Sequence, residues 1–261
     1  MLPVLFTIGG LTIHTYGIAA ALGFLVVTKI MIKHMEAFDV ASEKVVDLLF
    51  WSAIAGIVGA RALYIYKNPG QLAPSEWINL RTGGLVFYGS VLTAFPTGAY
   101  LIKKHKLPYY KIMDAFVLGA PIGHAISRFG CLGAGCCHGT PTDLPWGITF
   151  TDALAIAPLN ISLHPTQLYE VVGLCILAFG LHKYYPRRAF DGAVALAYFC
   201  SYAVLRSIIE IFRGDTTRGW MFESVLGETI STSQGISLMV AVLAFVIFFV
   251  AARKNTKPTI P

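Results

Sequence analysis

Apolar residues gather into seven long runs separated by short polar segments. The runs lie near residues 14–32, 45–66, 85–102, 112–132, 165–184, 192–212 and 234–251. A hydrocarbon core of about 30 Å takes roughly 20 helical residues, so each run predicts a membrane-spanning helix. The first run has neither a basic leader nor a small-residue cleavage site, so it is expected to stay in the protein as a span. Between the fourth and fifth runs, residues 146–150 (Trp-Gly-Ile-Thr-Phe) predict a short strand. Gly56 and Ala60 set a small-xxx-small spacing in the second run, which favours close helix packing.

Composition narrows the class. The 261 residues are 56% hydrophobic and only 13% charged, with mean hydropathy +0.65. Soluble domains carry about 25% charged residues, so this chain cannot coat a soluble core. Disorder, collagen and coiled coil fail on the same figures. The expected fold is an all-α polytopic membrane protein. It has about seven transmembrane helices in a single integral membrane domain over residues 1–261, with a small loop region on one face.

Charge then assigns the faces. The net charge of +6 reads as topology, with no nucleic-acid partner. Thirteen of the 20 basic residues fall at one set of helix ends. They are Lys29, Lys33, Lys44, Lys103, Lys104, Lys106, Lys111, Lys183, Arg187, Arg188, Arg253, Lys254 and Lys257. The positive-inside rule makes these ends cytoplasmic, with the N-terminus outside and the C-terminus inside. The longer connections, residues 68–84, 133–164 and 214–233, then lie on the outer face. Loop mass concentrated there is where function is expected.

The informative polar residues are those in the wrong solvent. Arg128 and Arg206 fall in or at the outer end of apolar runs. An arginine at the bilayer centre costs about 2.5–3.5 kcal/mol on insertion scales. Each therefore needs a counter-ion, a wet cavity or an interface. Snorkelling from a helix end is the bland reading for Arg128. For Arg206 it is neutralisation by Glu210 four residues on, with Tyr202 extending the same face. Two arginines facing an outward cavity would suit an anion, because guanidinium offers phosphate a planar fork of donors. At that depth the abundant anion is a phospholipid head group.

Other polar groups surround these positions in the chain. His14 and Tyr16 open the first span, and Gly83, Gly84, Tyr88 and Gly89 mark the entry to the third. His164, Thr166, Gln167, Tyr169 and Glu170 open the fifth and can build a polar network. Cys131, Cys136, Cys137 and His138 cluster in the outer connection, without a C-x-x-C pair or a second ligand cluster. No metal and no cofactor are expected on that spacing. A disulfide on an oxidising face is an alternative. Cys175 and Cys200 lie in apolar runs and read as core.

Taken together, these segments resemble the prolipoprotein diacylglyceryl transferases, nearly end to end. The likeness rests on residues 13–17, 84–89, 128–139, 164–170 and 202–215. It implies seven spans in a bacterial plasma (inner) membrane, with the active site toward the outer face. It also implies transfer of the diacylglyceryl group of phosphatidylglycerol to the lipobox cysteine thiol of prolipoprotein signal peptides, releasing glycerol 1-phosphate. Partners would be that lipid, those peptides and the bilayer. By the resemblance Arg128, Arg206, Tyr16 and Tyr202 are candidate catalytic residues, and His14 is added to them as a candidate base. Arg128, Arg206, Tyr88, Gly139, Glu210, His164 and Gln167 are candidate substrate-binding residues. His124 and His164 join His14 as candidate bases because histidine titrates near neutrality.

The chain also departs from the family. Its signature reads G-R-x-G-N-x-x-N-G-E, whereas here Cys131 and Ala134 replace the asparagines and Cys136 replaces the acid. Tyr88 stands where many members carry histidine, and a phenol with a reference pKa of about 10 is a poor base at neutral pH. The nucleophile belongs to the substrate, so Cys131, Cys136 and Cys137 are not expected to attack. A divergent paralogue, an anionic-lipid binder or transporter, and a redox or metal protein built on residues 131–138 are the rival readings.

Overall fold

The computed structural model describes residues 2–9, 11–79 and 84–214, with scattered positions between 235 and 250. The predicted seventh span (residues 234–251) lies largely outside the described residues, as do Arg81, Gly83, Asp215, Arg218, Arg253, Lys254 and Lys257. The described chain is mainly helical. Its elements run β1 (Val4–Ile8), β2 (Leu11–His14), α1 (Thr15–Glu36), α2 (Ser42–Lys67), α3 (Phe87–Lys104), α4 (Tyr109–Ala134), β3 (Ile148–Thr149), β4 (Ser162–Leu163), α5 (Thr166–Tyr184) and α6 (Ala193–Phe212). Among the described residues four helices, α1, α2, α4 and α6, are long and apolar enough to cross a membrane. The third and fifth predicted runs are the shorter helices α3 and α5, of 18 and 19 residues.

One element is absent from the sequence reading. Residues 4–14 form an antiparallel hairpin, β1 on β2, ahead of the first span. Gly9 takes φ +53 at its turn, a left-handed conformation that glycine adopts without steric cost. The strand expected over residues 146–150 shrinks to β3, which pairs with β4. Phe150 leaves the ladder to fill a small core with Ala157 and Leu163.

The chain forms two compact units, residues 1–31 with 113–261, and residues 32–112. In the smaller unit α2 and α3 run antiparallel in close contact. A Cβ on Gly59 would meet the Gly89 carbonyl and the Thr93 side chain within 2.5 Å. Thr93 Oγ1 donates to the Ala55 carbonyl at 2.6 Å and Ser90 Oγ to that of Gly56 at 3.0 Å. The small-residue face anticipated at Gly56 and Ala60 is therefore where α3 docks. Arg61, on the same helix, donates to the carbonyls of Trp77, Gly84, Glu76 and Asn79 at 2.8–3.1 Å. An arginine among apolar residues thus closes the connection from α2 to α3.

In the larger unit α4 is the central element. At one end buried Asp114 accepts from the backbone N–H groups of Gly192 and Ala195 at 2.8 and 2.9 Å. These are donors that the first turn of α6 cannot satisfy internally, so α4 caps α6. Above the clamp Val117, Leu118, Leu181, Val194 and Ala195 form a core. Along its other flank α4 meets α1 through glycines. A Cβ on Gly123 would meet Val27 Cγ2 at 2.5 Å and the Gly23 carbonyl at 2.7 Å, and one on Gly130 would lie 2.9 Å from Tyr16 Cα. Only hydrogen at these positions lets the two backbones approach so closely.

Candidate active site

Helices α4 and α6 leave the Asp114 clamp in the same direction. Their pairings run Asp114 to Gly192 and Ala195, then Val117 and Leu118 to Val194 and Ala195, then His124 to Tyr202. Arg128 lies fourteen residues beyond Asp114, and Arg206 fourteen beyond Gly192. At 1.5 Å per residue both guanidinium groups stem from backbone about 21 Å up from the clamp. Helix α5 runs the other way, with Leu181 in the clamp core and Glu170 in its second turn.

These helices bring carboxylates to both arginines. Arg128 Nη2 donates to Glu170 Oε1 at 3.0 Å, and Nε lies 2.9 Å from Oε2. The side chains are 13% and 2% exposed, so Arg128 does not snorkel: it is held in a buried ion pair. His124 Nε2 sits 3.6 Å from Glu170 Oε1, and Tyr202 reaches the same carboxylate. The rings of His124 and Tyr202 lie 5.7 Å apart, and Tyr198 stacks on Tyr202 at 5.6 Å. Arg206 Nη2 lies 2.7 Å from Glu210 Oε2, the i,i+4 pair anticipated from the sequence.

A second layer holds the loop after α4. Gln167 Nε2 donates to the Cys136 carbonyl at 2.7 Å and Thr166 Oγ1 to that of Cys137 at 2.6 Å. Gly139 sits at a crossing of chain segments: its N–H donates to the His164 carbonyl at 3.0 Å, and Thr140 N–H to that of Phe212 at 2.9 Å. A Cβ on Gly139 would strike His164 and the Phe212 carbonyl. Gly139 thus earns its place by close packing. His164 Nδ1 faces the Tyr169 hydroxyl at 3.1 Å, which also accepts from Trp146 Nε1 at 2.8 Å.

The loop also gathers the three cysteines. The sulphur atoms of Cys131, Cys136 and Cys137 lie within 4.8 Å of one another, and Arg128 Nη1 is 3.7 Å from Cys131 Sγ. Hydrogen bonds from the Cys131 and Cys136 thiols, with the charges of Arg213 and Arg128 behind them, pull the Cys137 thiol below its ordinary range. Contact with the other two thiols, together with burial, pushes Cys136 up.

The predicted residues therefore separate. Arg128, Tyr202, His124 and the cysteines share one locality, with Arg206 and Glu210 one turn further along α6. Tyr16, 48% exposed, packs its backbone on Gly130 in the turn after Arg128. His14 is exposed at the end of β2, in the hairpin ahead of α1. Tyr88 belongs to the smaller unit, on α3, with its ring against Phe87 at 6.0 Å. Glu170 and Arg213 were not among the expected site residues. Glu170 could have been found as the lone acid in the fifth apolar run, because a buried carboxylate demands a cation.

Comparison with known proteins decides the family. A family model described as "Prolipoprotein diacylglyceryl transferase" matches residues 3–250. The chain belongs to the prolipoprotein diacylglyceryl transferase family. A phosphatidylglycerol–prolipoprotein diacylglyceryl transferase of Clostridium tetani is 34% identical over 249 residues, covering 95% of this chain and 97% of the relative. One from Finegoldia magna is 32% identical over 221 residues, covering 82% and 84%. One from Thermotoga maritima is 31% identical over 261 residues, covering 97% and 86%. Members of this transferase family thus match the chain over the helices that carry Arg128, Glu170 and Arg206.

Proposed function

We propose that the protein transfers the diacylglyceryl group of phosphatidylglycerol to the thiol of a lipobox cysteine in prolipoprotein signal peptides, releasing glycerol 1-phosphate. The observation that carries this reading is the pair of arginines, Arg128 and Arg206, stemming from the same height on parallel helices α4 and α6. Each is held in a fixed orientation by a buried carboxylate. The family match and the printed names of the relatives supply the reaction.

The chemistry is alkyl transfer to sulphur with a phosphate leaving group. Charge grows on the departing phosphate, and donors already oriented toward it lower the barrier most where that charge appears. Arg128 and Arg206 take that role in this reading. Glu170 keeps the Arg128 fork from turning away, and Glu210 does the same for Arg206. Tyr16 and Tyr202 orient the head group. Gln167, Thr166 and the Gly139 crossing hold the loop on which the peptide arrives, and His164 completes the lipid contacts.

The same reading gives the protein seven spans in the bacterial plasma membrane, its N-terminus outside and its C-terminus in the cytoplasm. The site then opens to the outer face. Incubation of the purified protein with phosphatidylglycerol and a lipobox peptide tests the activity. A gain of one diacylglyceryl group in the peptide mass is expected. No gain, with lipid still bound, would replace the reading by that of a lipid-binding protein.

A further inference from the structure

The reaction needs a thiolate, and this chain departs from the family signature beside Arg128. A thiol of pKa about 8.5 is only about 3% ionised at pH 7. Cys136 stands where the signature has an acid, and Tyr88 where many members have histidine. His124 faces the carboxylate that already holds Arg128. What the chain has instead, beside Arg128, is three thiols.

Their arrangement is that of a ligand set. Three sulphurs within 4.8 Å of one another need small movements to reach the spacing of about 3.8 Å that a tetrahedral zinc ion with Zn–S bonds of about 2.3 Å requires. Their backbone is fixed independently of any ion. Cys136 N–H donates to the Cys131 carbonyl at 3.1 Å, and the first turn of α5 binds the carbonyls of Cys136 and Cys137. Cys137 takes φ +60, a left-handed conformation uncommon for a residue with a side chain. Such strain persists where surrounding contacts enforce it, and ligand clamps are one such place. Cys131 is buried while Cys136 and Cys137 are partly exposed, which leaves a side open to an incoming group.

We propose that Cys131, Cys136 and Cys137 bind a thiophilic divalent cation, with zinc the expected ion, whose fourth position takes the thiol of the lipobox cysteine. This rests on the transferase reading above. Three protein ligands and one open position are the pattern of catalytic zinc sites, and a thiol that coordinates such an ion gives up its proton. The sulphur lone pair then forms the C–S bond to the glyceryl carbon. The C–O bond to phosphorus breaks and its electron pair leaves with the phosphate. The thiol proton ends on the released glycerol phosphate, so no oxidant or reductant is consumed. The product thioether is a weaker ligand than a thiolate, and its departure frees the fourth position. Arg128, 3.7 Å from Cys131 Sγ, places the leaving phosphate beside the attacking sulphur.

The test uses the full-length protein in detergent, reduced and stripped with a chelator, then titrated with Co(II) as a visible stand-in for zinc. One equivalent should bind with a thiolate-to-cobalt charge-transfer band. That band should weaken in Cys136→Ser and vanish in the Cys131→Ser, Cys136→Ser, Cys137→Ser triple variant. A lipobox peptide should shift the cobalt d–d bands, and the same peptide with serine for its cysteine should not. Stripped wild-type protein should lose transfer roughly tenfold or more, since its substrate thiol is then mostly protonated, and regain it with zinc. Absence of the band, or a band without response to the peptide thiol, overturns the proposal. Undiminished transfer by stripped protein overturns it as well and leaves the transferase reading standing. Transfer absent from both stripped and zinc-loaded protein overturns the transferase reading, and with it the thiol-activation step.

Discussion

Arg61 and Arg128 look alike in the sequence, each an arginine inside an apolar run, yet their partners give them different work. Arg61 spends its donors on four backbone carbonyls and holds a loop. Arg128 is paired with a carboxylate 42 residues away on another helix. Arg128→Lys keeps the charge and loses the fork. Transfer by this variant is expected to fall by about 10²–10³, the usual cost of one oriented donor, with its thermal midpoint little changed. Arg61→Lys should show the reverse, losing about 1–3 kcal/mol of stability through unsatisfied carbonyls while the folded fraction keeps its turnover. Paired melting and mass-based transfer assays separate the two, and wild-type turnover by Arg128→Lys would remove the phosphate role. Glu170→Gln leaves Arg128 charged and unpaired in a buried site, which costs about 3–5 kcal/mol; a clear drop in melting temperature is expected. The need for a counter-ion to Arg128 was legible from one chain. Its identity was not, because the partner is set by the crossing of α4 and α5, which no local spacing encodes.

Helix positions were legible because membrane thickness imposes a length on apolar runs, and α1 to α6 fall on the first six runs with ends shifted by a few residues. The β1–β2 hairpin escaped because it lies ahead of the first run, where a length criterion set by membrane thickness selects nothing. The packing of α1 on α4 was likewise invisible, since glycines at residues 119, 123, 130 and 133 carry no label of what they face. Gly123→Val should force α1 away from α4, because a Cβ there already meets Val27 and Gly23 at 2.5–2.7 Å. Lower thermal stability and lower transfer are expected together, since Tyr16 rides on the displaced helix. Gly180→Ala is the matched comparison. It lies within α5 with nothing within 4 Å of the added carbon, so the usual helix preference for alanine, about 0.5–1 kcal/mol, predicts equal or higher stability and unchanged transfer. Equal behaviour of the two variants in the melting assay would show that the α1–α4 contact does not hold the fold.

Charge distribution and internal geometry make a joint prediction for the orientation of the chain. Most of the basic residues, Arg188 among them, cluster at one set of helix ends, and the positive-inside rule assigns that set to the cytoplasm. Arg188 packs beside Asp114 at the clamp, with Nε 3.7 Å from the carboxylate. Arg128 and Arg206 stem from backbone about 21 Å further along their helices, against a hydrocarbon core of about 30 Å. If the clamp is cytoplasmic, both arginines lie in the outer half of the bilayer, within reach of outer-leaflet head groups and of a signal peptide emerging on that side. A reporter enzyme active only outside the cytoplasm tests this directly. Fused after residue 106 or residue 188 it should be silent, and fused after residue 78 or residue 150 it should be active. The opposite pattern would put the basic ends outside and bring the arginines to the inner leaflet. A transferase acting on exported prolipoproteins could not use a site there, so the reversed result would count against the topology and the proposed reaction together. Activity after residue 78 but silence after residue 150 would break the count of spans between them while leaving the charge rule intact for α2 and α3.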